Sequence, residues 1–125
     1  MAYRAYKYTF KLHIAHNLNT SLSEQQAHFH TLKIVLYLEK QGNVFASYEY
    51  IEKIIDDYLE QYKGKYLNNT VPFANSSPTV ENIGTLFYND LQSIVLTNHY
   101  DLLKLEISES PTRVFTISDK ILLSC

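Results

Sequence analysis

The apolar residues of this chain change period from two to about 3.6 and back again. Over residues 3–18 they alternate, so that Phe10, Leu12, Ile14 and His16 share one face while His13 and Ala15 share the other. Side chains two apart on a strand point the same way, which makes this a strand with one face to bury. Residues 27–39 alternate again and set His28, His30, Leu32, Ile34, Leu36 and Leu38 together. Gln41-Gly42-Asn43 supplies a tight turn. The spacing then becomes helical over 47–63, where Ile51, Ile54, Ile55, Tyr58 and Tyr62 form a stripe against a charged face. Ser47 is the expected N-cap and Gly64 the expected stop. Residues 66–77 read as a loop. Ser77-Pro78 predicts a second helix with Pro78 in its first position, carried to about Leu96 by Ile83, Leu86, Phe87, Leu91 and Ile94. A closing hairpin is expected from 101–108 and 113–118 around Glu109-Ser110-Pro111-Thr112.

The order ββααββ predicts one α+β domain over residues 1–125. Two amphipathic helices of this length need a surface to pack on, so both belong on one face of a four-stranded antiparallel sheet. Such a sheet has open edges, and long first strands invite pairing between copies. A closed homo-oligomer with sites between subunits is therefore expected.

Composition narrows the partners. The 125 residues carry a formal charge of −2 and no basic cluster along the sequence, which argues against nucleic acid. No apolar run approaches the ~20 residues of a membrane span, and the first residues lack a signal-peptide core. The one cysteine, Cys125, allows no internal disulfide, so a reducing, cytoplasmic setting is expected. The Asn-x-Ser/Thr sequences at Asn19, Asn68 and Asn75 are then ordinary polar loops. The eleven tyrosines are read as packing and contact residues with buried rings and wet hydroxyls.

Three histidines carry the chemistry. His28 and His30 project from the same face of the second strand, and His16 lies at the end of the first. Three imidazoles from neighbouring strands suit a zinc ion that keeps a fourth position open. His13 points the other way and is not expected to join them.

Several local motifs resemble those of the 6-pyruvoyl tetrahydropterin synthase and 6-carboxytetrahydropterin synthase family. Ala15-His16-Asn17-Leu18 resembles Ala-His-x-Leu, and His28-Phe29-His30 stands where the family has His-Gly-His. Gly42-Asn43-Val44 is similar to Gly-Met-Val, Leu67-Asn68 to Leu-Asn, and Glu109-Ser110-Pro111 to Glu-Thr-Pro. Pro78-Thr79-Val80-Glu81-Asn82 matches Pro-Thr-x-Glu-Asn and is the most specific of the six. The resemblance implies the tunnelling fold, in which ββααββ subunits join into oligomeric barrels, here a trimer or hexamer. It implies zinc on His16, His28 and His30, and a pterin held by Glu109 with Thr79 at hand. The implied activity is a lyase acting on 7,8-dihydroneopterin triphosphate, closer to the carboxytetrahydropterin branch that feeds deazapurine (queuosine) synthesis.

Three positions depart from the pattern. The family's cysteine base, four residues before His-x-His, is here Glu24, which the resemblance still allows as a catalytic acid or base. The family's Asp-His pair before Leu-Asn is replaced by Lys63-Gly64. Phe29 replaces the glycine between two ligands, but a side chain there points to the opposite face. The missing Asp-His pair keeps a second reading open, in which zinc and pterin binding persist with lost or altered catalysis.

Overall fold

A computed structural model describes residues 4–18, 26–43 and 47–119. Four strands, β1 (Tyr6–His16), β2 (His28–Lys40), β3 (Tyr100–Ser110) and β4 (Arg113–Ile117), pair antiparallel in the order β1-β2-β3-β4. Two helices, α1 (Tyr48–Glu60) and α2 (Val80–Leu96), stand between β2 and β3 in the chain. The fold is the expected α+β arrangement, with both helices contributing to one core. No helix among the described residues is long and apolar enough to cross a membrane.

The alternation sorts the sheet as it should. Tyr8, Phe10, Leu12 and Ile14 of β1 and Leu32, Ile34, Leu36 and Leu38 of β2 are buried. They meet Ile51, Ile55 and Leu59 of α1 and Ile83, Phe87, Leu91 and Val95 of α2. Large side chains of the sheet and both helices, Leu32, Ile34, Ile51, Ile55, Phe87 and Leu91 among them, are wholly buried, so the core, and not helix propensity, holds the helices in place. Tyr58 bridges the two helices, donating its hydroxyl hydrogen bond to Asp90 at 2.5 Å. Gly84 lets α2 approach the sheet: a Cβ there would stand 2.9 Å from Ile107 and 3.1 Å from Phe115.

The structure corrects three sequence boundaries. Helix α1 ends at Glu60, and a turn carries the chain to Gly64, whose φ of +70° suits glycine. Helix α2 does not begin at Pro78. Its N-cap is Thr79, whose side chain accepts from the Asn82 N–H at 3.0 Å, leaving Pro78 outside the helix. Glu109 is not in the hairpin turn. β3 runs on to Ser110 through an irregularity in its pairing with β4, and the turn shrinks to Pro111-Thr112.

The expected loop before α2 is also more ordered than predicted. It holds two short 3₁₀ turns, Leu67–Asn69 and Val71–Phe73. Just before them, residues 64–66 lie along the outer edge of β1. The Gly64 N–H donates to the His13 carbonyl at 2.7 Å and the Ala15 N–H to the Lys65 carbonyl at 3.0 Å. The chain therefore covers the end of β1 that carries His16.

Candidate metal and pterin site

The site lies where β1, β2 and β3 meet the start of α2. His16 ends β1 directly opposite His28, while His30 stands opposite Ile14 two residue pairs inward on the same face. The rings of His16 and His30 meet edge to face with centroids 4.9 Å apart. Because β3 continues to Ser110, Glu109 projects alongside them. Its carboxylate lies 3.6 Å from His16 Nε2 and 3.4 Å from His30 Nδ1.

The structure thus brings together His16, His30 and Glu109, whose ligand atoms all lie within 4.8 Å of one another. His28 is exposed and outside this group, with its ring centroid 6.3 Å from that of His30. Glu24 lies outside the described residues. His13 faces away, as expected, with its Nδ1 2.7 Å from the Thr31 hydroxyl. Phe29 also faces away and is 83 % exposed, so it does not crowd the imidazoles.

The donor chemistry fits a divalent metal. His16 is 4 % exposed and its Nδ1 lies 2.7 Å from the Pro78 carbonyl. A carbonyl can only accept, so Nδ1 carries the proton and the Nε2 lone pair is left for a metal. A backbone carbonyl behind a ligating imidazole fixes its tautomer and its orientation. Nitrogen and carboxylate donors together suit zinc and its first-row neighbours.

Two of the motifs turn out to hold this geometry. Asn68 grips the backbone just beyond His16, accepting from the Asn17 N–H at 2.9 Å and donating to the Asn17 carbonyl at 2.9 Å. Asn17 is fully buried and its amide donates to the Tyr66 hydroxyl at 3.0 Å. In the Pro-Thr-x-Glu-Asn segment, Pro78 serves His16 and Thr79 caps α2. The Asn82 side chain donates to the Ser77 carbonyl at 2.8 Å. Sequence reasoning found these motifs and missed these roles, because each depends on a partner that only folding supplies.

A cavity of about 370 Å³ opens beside the cluster, within the usual range for small-molecule sites. Its walls are His16, Leu18, Thr79, Val80, Glu81, Glu109, Ser110, Arg113, Val114 and Phe115. Thr79 therefore both caps the helix and faces the cavity. Glu81, read from the sequence only as part of its motif, also lines the wall, and Arg113 is a wall residue that the sequence did not single out.

An antiparallel four-stranded sheet with two helices, and at its end a histidine-carboxylate cluster able to hold a metal ion, defines a small α+β protein with a candidate metal site. The family model described as 6-pyruvoyl tetrahydropterin synthase matches residues 6–120, and the chain belongs to that family. Its fold is shared with 6-pyruvoyl tetrahydropterin synthase from Caenorhabditis elegans, at TM-score 0.73 and 19% identity over 96% of this chain and 98% of that one. It is also shared with an uncharacterized protein of Wolinella succinogenes, at TM-score 0.63 and 12% identity over 94% and 99%. A third similar structure is a catalytic-residue mutant of 6-pyruvoyltetrahydropterin synthase from Plasmodium vivax, with glutamate changed to alanine. It has TM-score 0.61 and 14% identity over 94% and 99%. No curated protein matches the chain in sequence.

Proposed function

We propose that the protein is a zinc-dependent pterin lyase acting on 7,8-dihydroneopterin triphosphate. Within its family it stands nearer the 6-carboxytetrahydropterin branch, with a cytoplasmic role in deazapurine (queuosine) synthesis. One observation carries the reading: in a chain of this family, His16, His30 and Glu109 cluster together, and His16 and Glu109 of that cluster line a cavity of suitable size.

His16 and His30 hold the metal, and the exposed His28 turns in as the third ligand. Bound zinc would polarise the oxygens of the substrate side chain. Glu109 anchors the pterin, its two oxygens accepting parallel hydrogen bonds from the ring's amino group and adjacent N–H. Thr79 lines the same wall. Glu24 exchanges protons with the substrate. The Plasmodium protein, whose catalytic residue is a glutamate, supports a carboxylate in that role. The edge of β4, and that of β1 ahead of the stretch covered by residues 64–66, support assembly into a trimer or hexamer with sites between subunits.

Two observations favour variations on this reading. The 3.4 and 3.6 Å approaches of Glu109 to both imidazoles favour Glu109 itself as third ligand. Zinc affinity separates the two: His28→Ala loses zinc in the first arrangement, Glu109→Gln in the second. Undiminished zinc in both variants would remove both assignments. The Lys63-Gly64 pair favours binding without turnover, since Lys63 is exposed and Gly64 contributes only its backbone, to His13.

The deciding experiment incubates the purified protein with 7,8-dihydroneopterin triphosphate, with and without zinc. Triphosphate release and new pterin products are expected only with zinc. No consumption at high protein concentration, in a sample with stoichiometric zinc, would sink the lyase reading and leave pterin binding to be measured by itself.

A further inference from the structure

The face of the sheet turned away from the helices is electrically lopsided. Register sets Lys11 directly opposite Lys33, with Lys7 two rows along, opposite Tyr37. Across β3, Ser108 pairs with Lys33. Like charges placed directly opposite one another work against strand pairing. The nearby carboxylates are committed elsewhere: Glu106 to Lys104 at 3.5 Å and to the Tyr37 hydroxyl at 3.3 Å, Glu109 to the two imidazoles. Among the described residues, no carboxylate forms an ion pair with Lys7, Lys11 or Lys33. In a chain of net charge −2, three ammonium groups without an ion pair share one patch, which Glu106 and Glu109 border.

The patch is also concave. Lys7, Lys11 and Lys33 ring a groove of about 410 Å³ together with Thr31, Ser108 and Glu106. Ser108 is a polar residue only 6 % exposed. The groove shares Glu109, Ser110 and Val114 with the cavity described above, so the two hollows lie on either side of one wall.

We propose that this groove is a second binding site, for a phosphate-class oxyanion seated between Lys11 and Lys33 with Lys7 closing on it. Ammonium groups only donate hydrogen bonds, and charge-assisted bonds to phosphate oxygens are among the strong ones. An anion of several charges turns the Lys11–Lys33 repulsion into two attractions. The ligand is a condensed phosphate, free or as the tail of a larger molecule. The proposal does not rest on the pterin reading, because neither the histidines nor Glu24 takes part.

Inorganic triphosphate is the probe, titrated calorimetrically into the protein as purified. Wild type binds it, and binding weakens as salt rises. Lys11→Gln and Lys33→Gln each weaken it about tenfold, the loss of one charge-assisted bond. Lys53→Gln, on α1 and paired with Asp57 at 2.8 Å, leaves binding unchanged. Without anion, Lys33→Gln melts higher than wild type because the repelling pair is gone, and this advantage shrinks as triphosphate is added. Neopterin triphosphate identifies the source: if its affinity also falls in Lys33→Gln while that of neopterin does not, the groove takes a substrate tail. If only inorganic triphosphate responds, it takes the free anion. Equal triphosphate binding by wild type and both lysine variants, or no binding at millimolar concentration, overturns the proposal.

Discussion

Replacing Asn68 by alanine should damage the proposed metal site from outside it. The Asn68 amide makes two hydrogen bonds to the backbone of Asn17, both 2.9 Å, immediately after His16. Each such bond contributes on the order of 1 kcal/mol net, and a buried group stripped of its partner costs about 1–3 kcal/mol. Asn17 is fully buried, so water reaches its backbone poorly. The expected loss is then about 2–4 kcal/mol, read as a lower urea midpoint at unchanged slope. His16 should also lose its fixed position, and outer-shell partners of metal ligands are typically worth about 10–100-fold in affinity. Competition with a zinc-binding dye measures that separately. Asn68→Asp keeps an acceptor for the Asn17 N–H but sets a carboxylate against the Asn17 carbonyl, and should do no better than alanine. Loss of less than about 0.5 kcal/mol in Asn68→Ala, with zinc affinity unchanged, would refute the clamp as the device that positions His16.

Three other outcomes follow from the same geometry. Gly84→Ala gains about 1 kcal/mol of helix propensity, but its Cβ would meet Ile107 at 2.9 Å, and overpacking costs about 1–3 kcal/mol, so the urea midpoint should fall. Burial, then the neighbouring Tyr100, Tyr48 and Tyr6, pushes the Tyr8 hydroxyl up to about 12, and burial followed by the bond to Asp90 raises that of Tyr58. Both hold their protons more tightly folded than unfolded, so their stabilisation is complete below the unfolded value of about 10 and is lost as pH rises towards the folded values. The unfolding free energy from urea titrations should stay level from pH 8 to about 10 and then decline by at most roughly 1.4 kcal/mol per pH unit for each such tyrosine; a level profile to pH 12 would contradict this. Zinc at 100 times its dissociation constant should stabilise wild type by about 2.7 kcal/mol in a thermal melt, and His16→Ala should show none of this gain.

The strands and helices were legible because one-sided burial forces a period, and the chain keeps to it. The alternation through Ile14 and His16 and through His30 and Leu32 placed both histidines on the correct face without any knowledge of their neighbours. Glu109 was harder. Glu109-Ser110-Pro111-Thr112 reads as a four-residue turn, and nothing local announces that the irregular pairing after Ile107 lets β3 run on to Ser110. That extension is what carries the carboxylate to the imidazoles. Pro78 misled for a related reason. Proline suits a first helical position, but here Thr79 takes the cap, and the proline is used for its carbonyl. Asn68 acts on a residue 51 positions away, a partnership that no period or spacing encodes.

The hydrogen bond from His16 to Pro78 ties two motions together. The Pro78 carbonyl belongs to the strap that enters α2, and the next residue is the helix cap. When the first turn of α2 frays, His16 loses the acceptor that selects its tautomer, and when a metal holds His16 the strap is held with it. Site and helix start therefore open as one cooperative unit, with a single opening free energy. Amide exchange at Asn82 and Ile83, whose N–H groups bond to Thr79, should slow in step with metal occupancy. The helix start thus reports the state of His16, a proposed metal ligand more than sixty residues earlier in the chain.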